Sequence, residues 1–298
     1  MKHLIDIKDL NKANLEQLFK QADKICSQSK KERMKRLTGR QVVCLFYENS
    51  TRTLLSFQLA ADGLGASVFN LPVNRSSVQK GESFHDTIET IAAMSPDALI
   101  MRHPDSHAHK DIADLLPDNI QLINAGDGQN QHPTQALLDL YTIRQHKKEF
   151  TNLKVTVIGD IKHSRVANSL MDGLGILGTS DIHIFGPDNL IPGQHRDRKA
   201  PDISTALEQA DVVVMLRIQK ERFDNNETYN IKQWHQLYGL DKDKLAQAKK
   251  DAIVMHPGPM NRGIEISSEV ADGPQSVILE QVSNGVLMRQ AVLDSLLS

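Results

Sequence analysis

Residues Ser50–Thr53 combine three hydroxyl side chains with one arginine, at the point where the apolar run "QVVCLFY" ends. Serine is a favourable N-cap residue, and the apolar spacing that follows predicts a helix from about Thr51. The free N–H groups at such a helix start attract anions, and Arg52 adds donors in the fork geometry that phosphate oxygens accept. The stretch therefore predicts a phosphate-like anion site, although a capped helix with a solvated arginine fits these residues equally well.

A second polar cluster, "NQHPTQ", also follows an apolar run. Pro133 suits the first turn of a helix, which places His132 just before that helix and Gln135 just inside it. A histidine before a proline is more often a structural turn residue. Next to an anion site, however, His132 and Gln135 could donate hydrogen bonds to a carbonyl or amide. Arg102, at the end of "ALIMR", supplies a further cation.

The segment "GLGILG" (173–178) has the spacing G-x-G-x-x-G of a dinucleotide-binding turn. The glycines of that fingerprint stand between a strand and the helix that follows it. Here they follow the helical pattern "SRVANSLMD" and precede the apolar run "DIHIFG", so we expect them to end a helix. The sequence therefore argues against a nicotinamide-dependent dehydrogenase.

Composition limits the classes of function that remain. The chain has 298 residues, 40% hydrophobic and 24% charged, which favours two domains of ordinary size. Its 35 basic and 37 acidic side chains give a net charge of −2, so the chain has no broad positive field for nucleic acid or anionic membrane. Cys26 and Cys44 lack metal-ligand spacing, and no apolar stretch is long enough to span a bilayer. We expect a reduced cytoplasmic protein, with Cys44 in the core.

Short β-branched runs alternate with helical patterns along almost the whole chain, which predicts an α/β fold with two doubly wound parallel sheets. The predicted strands are 41–47, 66–71, 98–102, 120–125, 153–159, 181–186, 211–216 and 251–256. We predict one domain over residues 1–140 and a second over 141–283. A C-terminal helix, 284–298, is expected to pack back on the first domain.

The polar clusters follow the predicted strands and do not precede them. In open α/β sheets, ligands bind beyond the carboxyl ends of the strands. Six such ends carry arginines, histidines and small hydroxyl residues, in the segments "ENSTRT", "RHP", "GDGQNQHPTQ", "DIKHSR", "RIQKER" and "HPGPMNR". This placement predicts recognition of small anions at the ends of both sheets.

In order and in content, these motifs resemble those of the aspartate/ornithine carbamoyltransferase family over most of the chain. The resemblance rests on "STRT" with "SF", "SSVQKGES", "MRHP", "NAGDGQNQHPTQ", "GDIKHSR", "LRIQKER" and "HPGPMNR". "STRT" together with "HPTQ" is highly specific as a pair, whereas either motif alone is moderately so. The family implies an active site in the cleft between the two domains.

The resemblance also implies the roles of individual residues. Carbamoyl phosphate would be bound by Ser50, Thr51, Arg52, Thr53, Ser76, Arg102, His132, Gln135 and the backbone of Gly258 and Pro259. L-Aspartate would be held by Lys80, Arg165, Arg217 and Gln219. The catalytic set would be Arg52, Thr53, Lys80, Arg102 and His132. No metal or organic cofactor is implied.

The choice between the family's two branches rests on charge. Arg165, Arg217 and Lys80 favour a dianionic acceptor over the ammonium side chain of ornithine, and the "SMG" and "HCLP" motifs typical of the ornithine branch are absent from the sequence. The implied reaction is carbamoyl transfer to the α-amine of aspartate, in pyrimidine biosynthesis. A transferase for another amino acid, or a non-catalytic anion-binding relative, remains open. Leu54 and Gln79 depart from residues common in the family, and His163 is assigned no role.

The family further implies a homotrimer in which the loop around Ser76 and Lys80 reaches into a neighbouring subunit's site. Read without the resemblance, that loop is a flexible polar segment. Regulatory chains or other enzymes of the pyrimidine pathway are possible partners. Neither nucleic acid nor membrane is expected to bind.

Overall fold

The computed structural model of the chain describes residues 2–71, 83–219 and 230–298. The chain divides into two compact units. Unit 1 comprises Met1–Tyr141 together with Ser283–Ser298, and unit 2 comprises Thr142–Val282.

Unit 1 is built on a parallel sheet of four strands in the order β2-β1-β3-β4. The strands are β1 (Gln41–Phe46), β2 (Ser67–Leu71), β3 (Ala98–His103) and β4 (Gln121–Asp127). Every residue of β3 is buried, as expected for an inner strand covered on both faces. Leu45, Leu99 and Met101 pack with helical side chains such as Ile88 and Ile112 in one apolar cluster.

Helices connect and cover these strands. They are α1 (Lys12–Ser27), α2 (Lys30–Arg33), α3 (Thr51–Gly63), α4 (Phe84–Ala93), α5 (Ala108–Ala113) and α6 (Pro133–His146), whose residues from Thr142 onward belong to unit 2. A single 3₁₀ turn, Ile7–Asp9, precedes α1. Since each parallel connection must return to the same end of the sheet, the helices start where the strands end, at the carboxyl edge.

Unit 2 has a second four-stranded parallel sheet with the order β6-β5-β7-β8. Its strands are β5 (Lys154–Ile158), β6 (Asp181–Phe185), β7 (Val212–Met215) and β8 (Ile253–Met255). The helices are α7 (Arg165–Leu177), α8 (Ile203–Leu207), α9 (Ile231–Tyr238), α10 (Lys242–Leu245), α11 (Ser268–Ala271) and α12 (Ile278–Leu297), whose residues from Ser283 onward belong to unit 1. Two 3₁₀ turns span Asp188–Leu190 and Gly193–Arg198.

The predicted fold class is confirmed. All eight predicted strands are present, and each boundary lies within two residues of the prediction. The segment "GLGILG" ends α7, and Gly178 closes that helix with a φ of 97°, a left-handed conformation that favours glycine. Cys44 lies in β1, where burial raises the pKa of its thiol to about 12, so it is unsuited to act as a nucleophile at neutral pH.

Among the helices of the described residues, none combines the length and the apolar character that crossing a membrane would need.

Candidate active site

The N-terminus of α3 follows β1 at the carboxyl edge of the first sheet. The helix begins at Thr51, as predicted, and Ser50 holds the N-cap position with φ −155° and ψ 89°. Ser50 does not cap the helix with its side chain, contrary to the sequence interpretation. The Ser50 hydroxyl therefore accepts no hydrogen bond from the N–H groups of α3. Thr51 and Arg52 are exposed and Thr53 is buried, so one short turn presents donors in several directions.

Arg102 lies at the end of β3, the strand next to β1. Its guanidinium is buried and held by neighbours on both sides: Nη2 lies 3.0 Å from Oε2 of Glu48, and Nη1 donates to the carbonyl of Ala125 at 3.4 Å. The two partners belong to segments that flank β3 in the sheet. A buried arginine held by one carboxylate and one carbonyl has a defined direction, which a solvated arginine lacks.

His132 and Gln135 form the start of α6, after β4. Both are buried, and the His132 carbonyl accepts the N–H groups of Gln135 and Ala136 at 2.9 and 3.2 Å, so His132 is the residue from which the helix begins. The Gln135 Nε2 donates to Oδ1 of Asp139 at 3.0 Å. Asp139 thus fixes the orientation of the Gln135 amide, although it belongs to none of the sequence motifs.

Asp127 organises the turn that leads from β4 to His132. Its carboxylate accepts the His107 N–H at 2.7 Å and the Asn130 side chain at 2.8 Å, and its own N–H donates to the Gln131 carbonyl at 3.0 Å. Burial by itself would raise the pKa of Asp127, but the nearby His109 imidazole and these hydrogen bonds hold the pKa below its usual value. The charged carboxylate therefore stabilises the turn.

In unit 2, Asp160 organises the carboxyl edge at the end of β5. This fully buried carboxylate accepts the His163 imidazole at 2.9 Å, the His163 N–H at 3.2 Å and the Gln219 N–H at 3.1 Å. The Gln219 Nε2 donates in turn to the His163 carbonyl at 2.9 Å. His163, which sequence reasoning left without a role, therefore positions Gln219 together with Asp160. An acidic residue directly after a strand was the available signal.

The two arginines predicted to bind aspartate follow two neighbouring strands of the same sheet. Arg165 is the first residue of α7 and is buried, and the Ser164 hydroxyl caps that helix by accepting the Ala167 N–H. Arg217 follows β7 and is half-buried, with Nη1 donating to the Ile218 carbonyl at 3.3 Å. Two cations at parallel strand ends in one sheet suit a ligand with more than one carboxylate.

The segment after β8 offers its backbone. Gly258 adopts a φ of +67°, and its N–H donates to Nδ1 of His256 at 2.8 Å. Because Nδ1 accepts this bond, the proton of a neutral His256 lies on Nε2, which donates to Oε1 of the buried Glu265 at 3.1 Å. Pro259 has no N–H. The groups that this segment can offer to a ligand are therefore the carbonyl oxygens of Gly258 and Pro259, which accept N–H donors.

The structure thus groups the predicted residues by unit. Ser50, Thr51, Arg52, Thr53, Arg102, His132 and Gln135 follow strands of unit 1, and Arg165, Arg217, Gln219, Gly258 and Pro259 follow strands of unit 2. Ser76 and Lys80 lie outside the described residues. Within the described ranges, no group of three or more His, Cys, Asp or Glu side chains has the arrangement of a metal site.

Comparison with known families and structures covers almost the whole chain. Residues 2–145 match the carbamoyl-P binding domain of aspartate/ornithine carbamoyltransferase, and residues 151–296 match the Asp/Orn binding domain. Aspartate transcarbamoylase from Trypanosoma cruzi, in complex with carbamoyl phosphate and aspartate, is 30% identical with a TM-score of 0.89, over 100% of this chain and 97% of that chain.

Two further structures extend this similarity. The T. cruzi enzyme in complex with N-(phosphonacetyl)-L-aspartic acid is 32% identical with a TM-score of 0.86, over 100% and 96% of the two chains. The catalytic subunit of M. jannaschii aspartate transcarbamoylase is 34% identical with a TM-score of 0.85, over 99% and 98%. With both domains matched and the fold shared from end to end, the chain belongs to the aspartate/ornithine carbamoyltransferase family.

Proposed function

We propose that this protein transfers the carbamoyl group of carbamoyl phosphate to the α-amine of L-aspartate, giving N-carbamoyl-L-aspartate and phosphate. The observation that carries the proposal is the end-to-end match, at 30% identity, to an aspartate transcarbamoylase structure that contains both carbamoyl phosphate and aspartate. The placement of anion-binding residues at the carboxyl edge of each sheet supports it independently.

Unit 1 would bind carbamoyl phosphate. The N–H groups at the start of α3, the hydroxyls of Ser50 and Thr51, and the Arg52 guanidinium suit the phosphate oxygens. Arg102, whose guanidinium is held in place by Glu48, would donate to the carbamoyl carbonyl oxygen, and so would His132 and Thr53. The Gln135 amide, which is oriented by Asp139, would complete this side of the ligand.

The amino group of the carbamoyl moiety needs acceptors. In unit 2, the Gly258 N–H is already committed to His256, so the backbone at Gly258 and Pro259 offers carbonyl oxygens. Carbonyl oxygens select an N–H-bearing group and disfavour a phosphate oxygen. This supports the placement of the carbamoyl amine at that segment.

Aspartate would be held by Arg165 and Arg217 through its two carboxylates, with Gln219 fixed for this purpose by Asp160 and His163. Lys80 would add a further cation. The two arginine cations stabilise a dianion and repel the ammonium side chain of ornithine.

In the reaction, the neutral α-amine of aspartate attacks the carbonyl carbon. A C–N bond forms and negative charge develops on the carbonyl oxygen, where Arg102, His132 and Thr53 stabilise it. The C–O bond to phosphate then breaks, and the departing phosphate takes the proton that the amine loses. Holding both substrates in contact supplies a large part of the rate, since the encounter becomes local. Phosphate already activates the acyl group, so the mechanism needs no cofactor.

A steady-state assay with radiolabelled carbamoyl phosphate tests this proposal. We expect labelled carbamoyl aspartate with L-aspartate as acceptor and much less product with ornithine or other amino acids. Preferred labelling of another amino acid would assign a different acceptor. No labelled product with any acceptor would indicate a non-catalytic relative that binds anions.

The chain is further proposed to act in the cytoplasm, in pyrimidine synthesis, as a homotrimer with shared sites. Regulatory chains or other enzymes of the pathway are candidate partners.

Three large apolar side chains support the trimer. Leu55 and Leu59 on α3 and Phe69 on the edge strand β2 are each about half exposed, which supports a contact between these residues and a second copy of the chain. Sedimentation of the protein and its Leu59→Glu variant tests the trimer. A wild type that sediments as a monomer would contradict it.

Sharing of the site has its own test. Chains with Ser50→Ala and Arg52→Ala, and chains with Lys80→Ala, are each expected to be inactive. Mixed trimers should regain part of the activity if Lys80 serves a neighbouring subunit. Mixed trimers that are verified by mass and stay inactive would show that each site is built from one chain.

A further inference from the structure

A buried arginine outside the predicted site contacts the helices that carry the predicted site residues of unit 1. Arg289, on α12, is only 3% exposed. Its Nη1 donates to the Ser56 hydroxyl at 2.8 Å, and its guanidinium lies 4.9 Å from the centre of the Phe57 ring. Both partners belong to α3, the helix that begins with the turn proposed to bind phosphate. Arg289 therefore joins α12 to α3 through one hydrogen bond and one cation–π contact.

The same guanidinium is attracted to α6. The charge of Asp139 acts on Arg289, and Asp139 also accepts the hydrogen bond from Gln135. The approach of α12 to α6 is close at Gly285, where a Cβ atom would lie 2.8 Å from the Arg289 Nη1 and 3.2 Å from a methyl carbon of Leu138. A side chain at this position would displace the guanidinium. The arginine thus sits between the two helices that carry unit 1 ligand residues.

The positions of these contacts along the helices match. Ser56 lies four residues after Arg52 on α3, and Asp139 lies four residues after Gln135 on α6. Residues four apart lie one above the other on the same helix face. Ser56 and Asp139 therefore each lie one helical turn after a residue that is assigned to bind carbamoyl phosphate.

The buried position of Arg289 is costly for its charge. Burial lowers the pKa of Arg289 to about 10, and the attraction of Asp139 only partly opposes that effect. The lowered pKa means that the charged form is less favourable here than in water. The contacts with Ser56 and Phe57 and the charge of Asp139 offset this cost, and all of them act on α3 or α6.

We propose that Arg289 is a positioning residue, which holds the first turns of α3 and α6 in the relative geometry that carbamoyl phosphate requires. This inference rests on the proposed function of unit 1. Helix N-termini and a fixed amide bind one anion together only when their spacing matches the oxygen positions, and a misplacement of about 1 Å can cost two orders of magnitude in rate.

The test compares Arg289→Met and Arg289→Lys with the wild type. For Arg289→Met we expect the KM for carbamoyl phosphate to rise about tenfold or more, because the helix starts lose their common anchor. At saturating carbamoyl phosphate, the KM for aspartate should change less than about twofold, since unit 2 is untouched. Arg289→Lys keeps the charge and can still donate to Ser56 but loses the planar fork, so it should restore part of the affinity.

Arg36→Met is the matched control. Arg36 pairs with Asp294, a buried residue of α12, at 2.5 and 2.6 Å. Arg36 itself lies between α2 and β1, and its pair with Asp294 involves neither α3 nor α6. We expect a lower melting temperature with an unchanged KM for carbamoyl phosphate. A wild-type KM in Arg289→Met, or an equal rise in Arg36→Met, would overturn the positioning role.

Ser56→Ala guards against misfolding of the arginine variants. It removes only the hydroxyl that Arg289 donates to, and we expect a smaller rise in the same KM, of about two- to fivefold. An unchanged KM in this variant would also count against the proposal.

The proposed function can fail separately. If the wild type forms no carbamoyl aspartate, titration calorimetry with inorganic phosphate still compares the wild type with the Arg289 variants. Weaker phosphate binding in Arg289→Met would support positioning of an anion site, and equal binding would reject it.

Discussion

The two units of this protein share a sheet topology and differ in how the side chains at their strand ends are held in place. Each has four parallel strands in which the second strand in sequence lies at one edge and the fourth at the other. In unit 1, the predicted ligand residues are at helix starts or are buried cations held by partners, such as Arg102 with Glu48. In unit 2, Arg165 is likewise buried at a helix start, but Arg217 is only half-buried, and one buried carboxylate, Asp160, fixes an amide.

The difference shows that the sheet topology places residues at the strand ends, whereas their local hydrogen-bond partners determine which ligand groups those residues can bind. A phosphate site needs N–H groups and fixed cations close together, which a helix start after a strand provides. An aspartate site needs cations separated by the length of the ligand, and these come from two different strand ends. If the comparison is right, variants in one unit should change the constants of one substrate.

Arg52→Ala should have the largest effect. Loss of a charge-assisted contact to phosphate should cost about 2–3 kcal/mol, which weakens carbamoyl phosphate or inorganic phosphate binding by roughly 30- to 150-fold. Calorimetry measures it. Arg40→Ala, which removes an exposed ion pair with Asp97 in the same unit, is the control and should bind normally. Unchanged affinity in Arg52→Ala would remove Arg52 from the site.

Arg217→Ala tests the other half of the comparison. We expect the KM for aspartate to rise by about 10- to 100-fold, with carbamoyl phosphate binding kept, because a carboxylate loses its charged partner. Arg262→Ala breaks an exposed pair with Asp272 in unit 2 and should leave both constants in place. Aspartate saturation like that of the wild type would refute the assignment of Arg217.

His256→Ala should have an intermediate effect, since it frees the Gly258 N–H and loosens the carbonyl groups of that segment. We expect kcat to fall about tenfold. His256→Asn can return an acceptor near the position of Nδ1, so it should retain more activity than the alanine variant. Equal losses in both variants, measured at equal melting temperatures, would show that the Gly258 hydrogen bond is unimportant.

Asp127→Asn should have the smallest effect, on stability. The folded-state pKa of Asp127 lies below its ordinary value of 3.8, so the charged form contributes stability above that pH and the contribution is lost as the pH falls through the folded-state pKa. We expect the difference in unfolding free energy between wild type and variant, on the order of 1 kcal/mol or less, to stay constant above about pH 5 and to shrink as the pH falls below 3.8. A difference independent of pH would contradict it.

Much of the fold was predictable because its signals are local. Alternating apolar runs predicted all eight strands, and Pro133 predicted the start of α6. The side-chain cap at Ser50 was the exception, since N-cap preference does not include the backbone angles that the preceding strand imposes. The roles of Ser76 and Lys80 stay predictions, because both residues lie outside the described part of the chain.

The residues that orient the predicted site side chains were less predictable. Glu48, Asp139 and Asp160 carry no motif of their own, and each looks like an ordinary polar residue near a strand or on a helix. Only their hydrogen bonds to Arg102, Gln135 and Gln219 reveal what they do.

By itself, the sequence determined the α/β class, the strand ends and the types of side chain that stand at them, since hydrophobic period and residue chemistry act over a few neighbours. The tertiary structure alone decided which carboxylate holds which donor, and it brought Arg289 to Ser56 across 233 residues of chain. Contacts of that kind depend on how helices pack on a sheet, and packing is a property of the whole fold.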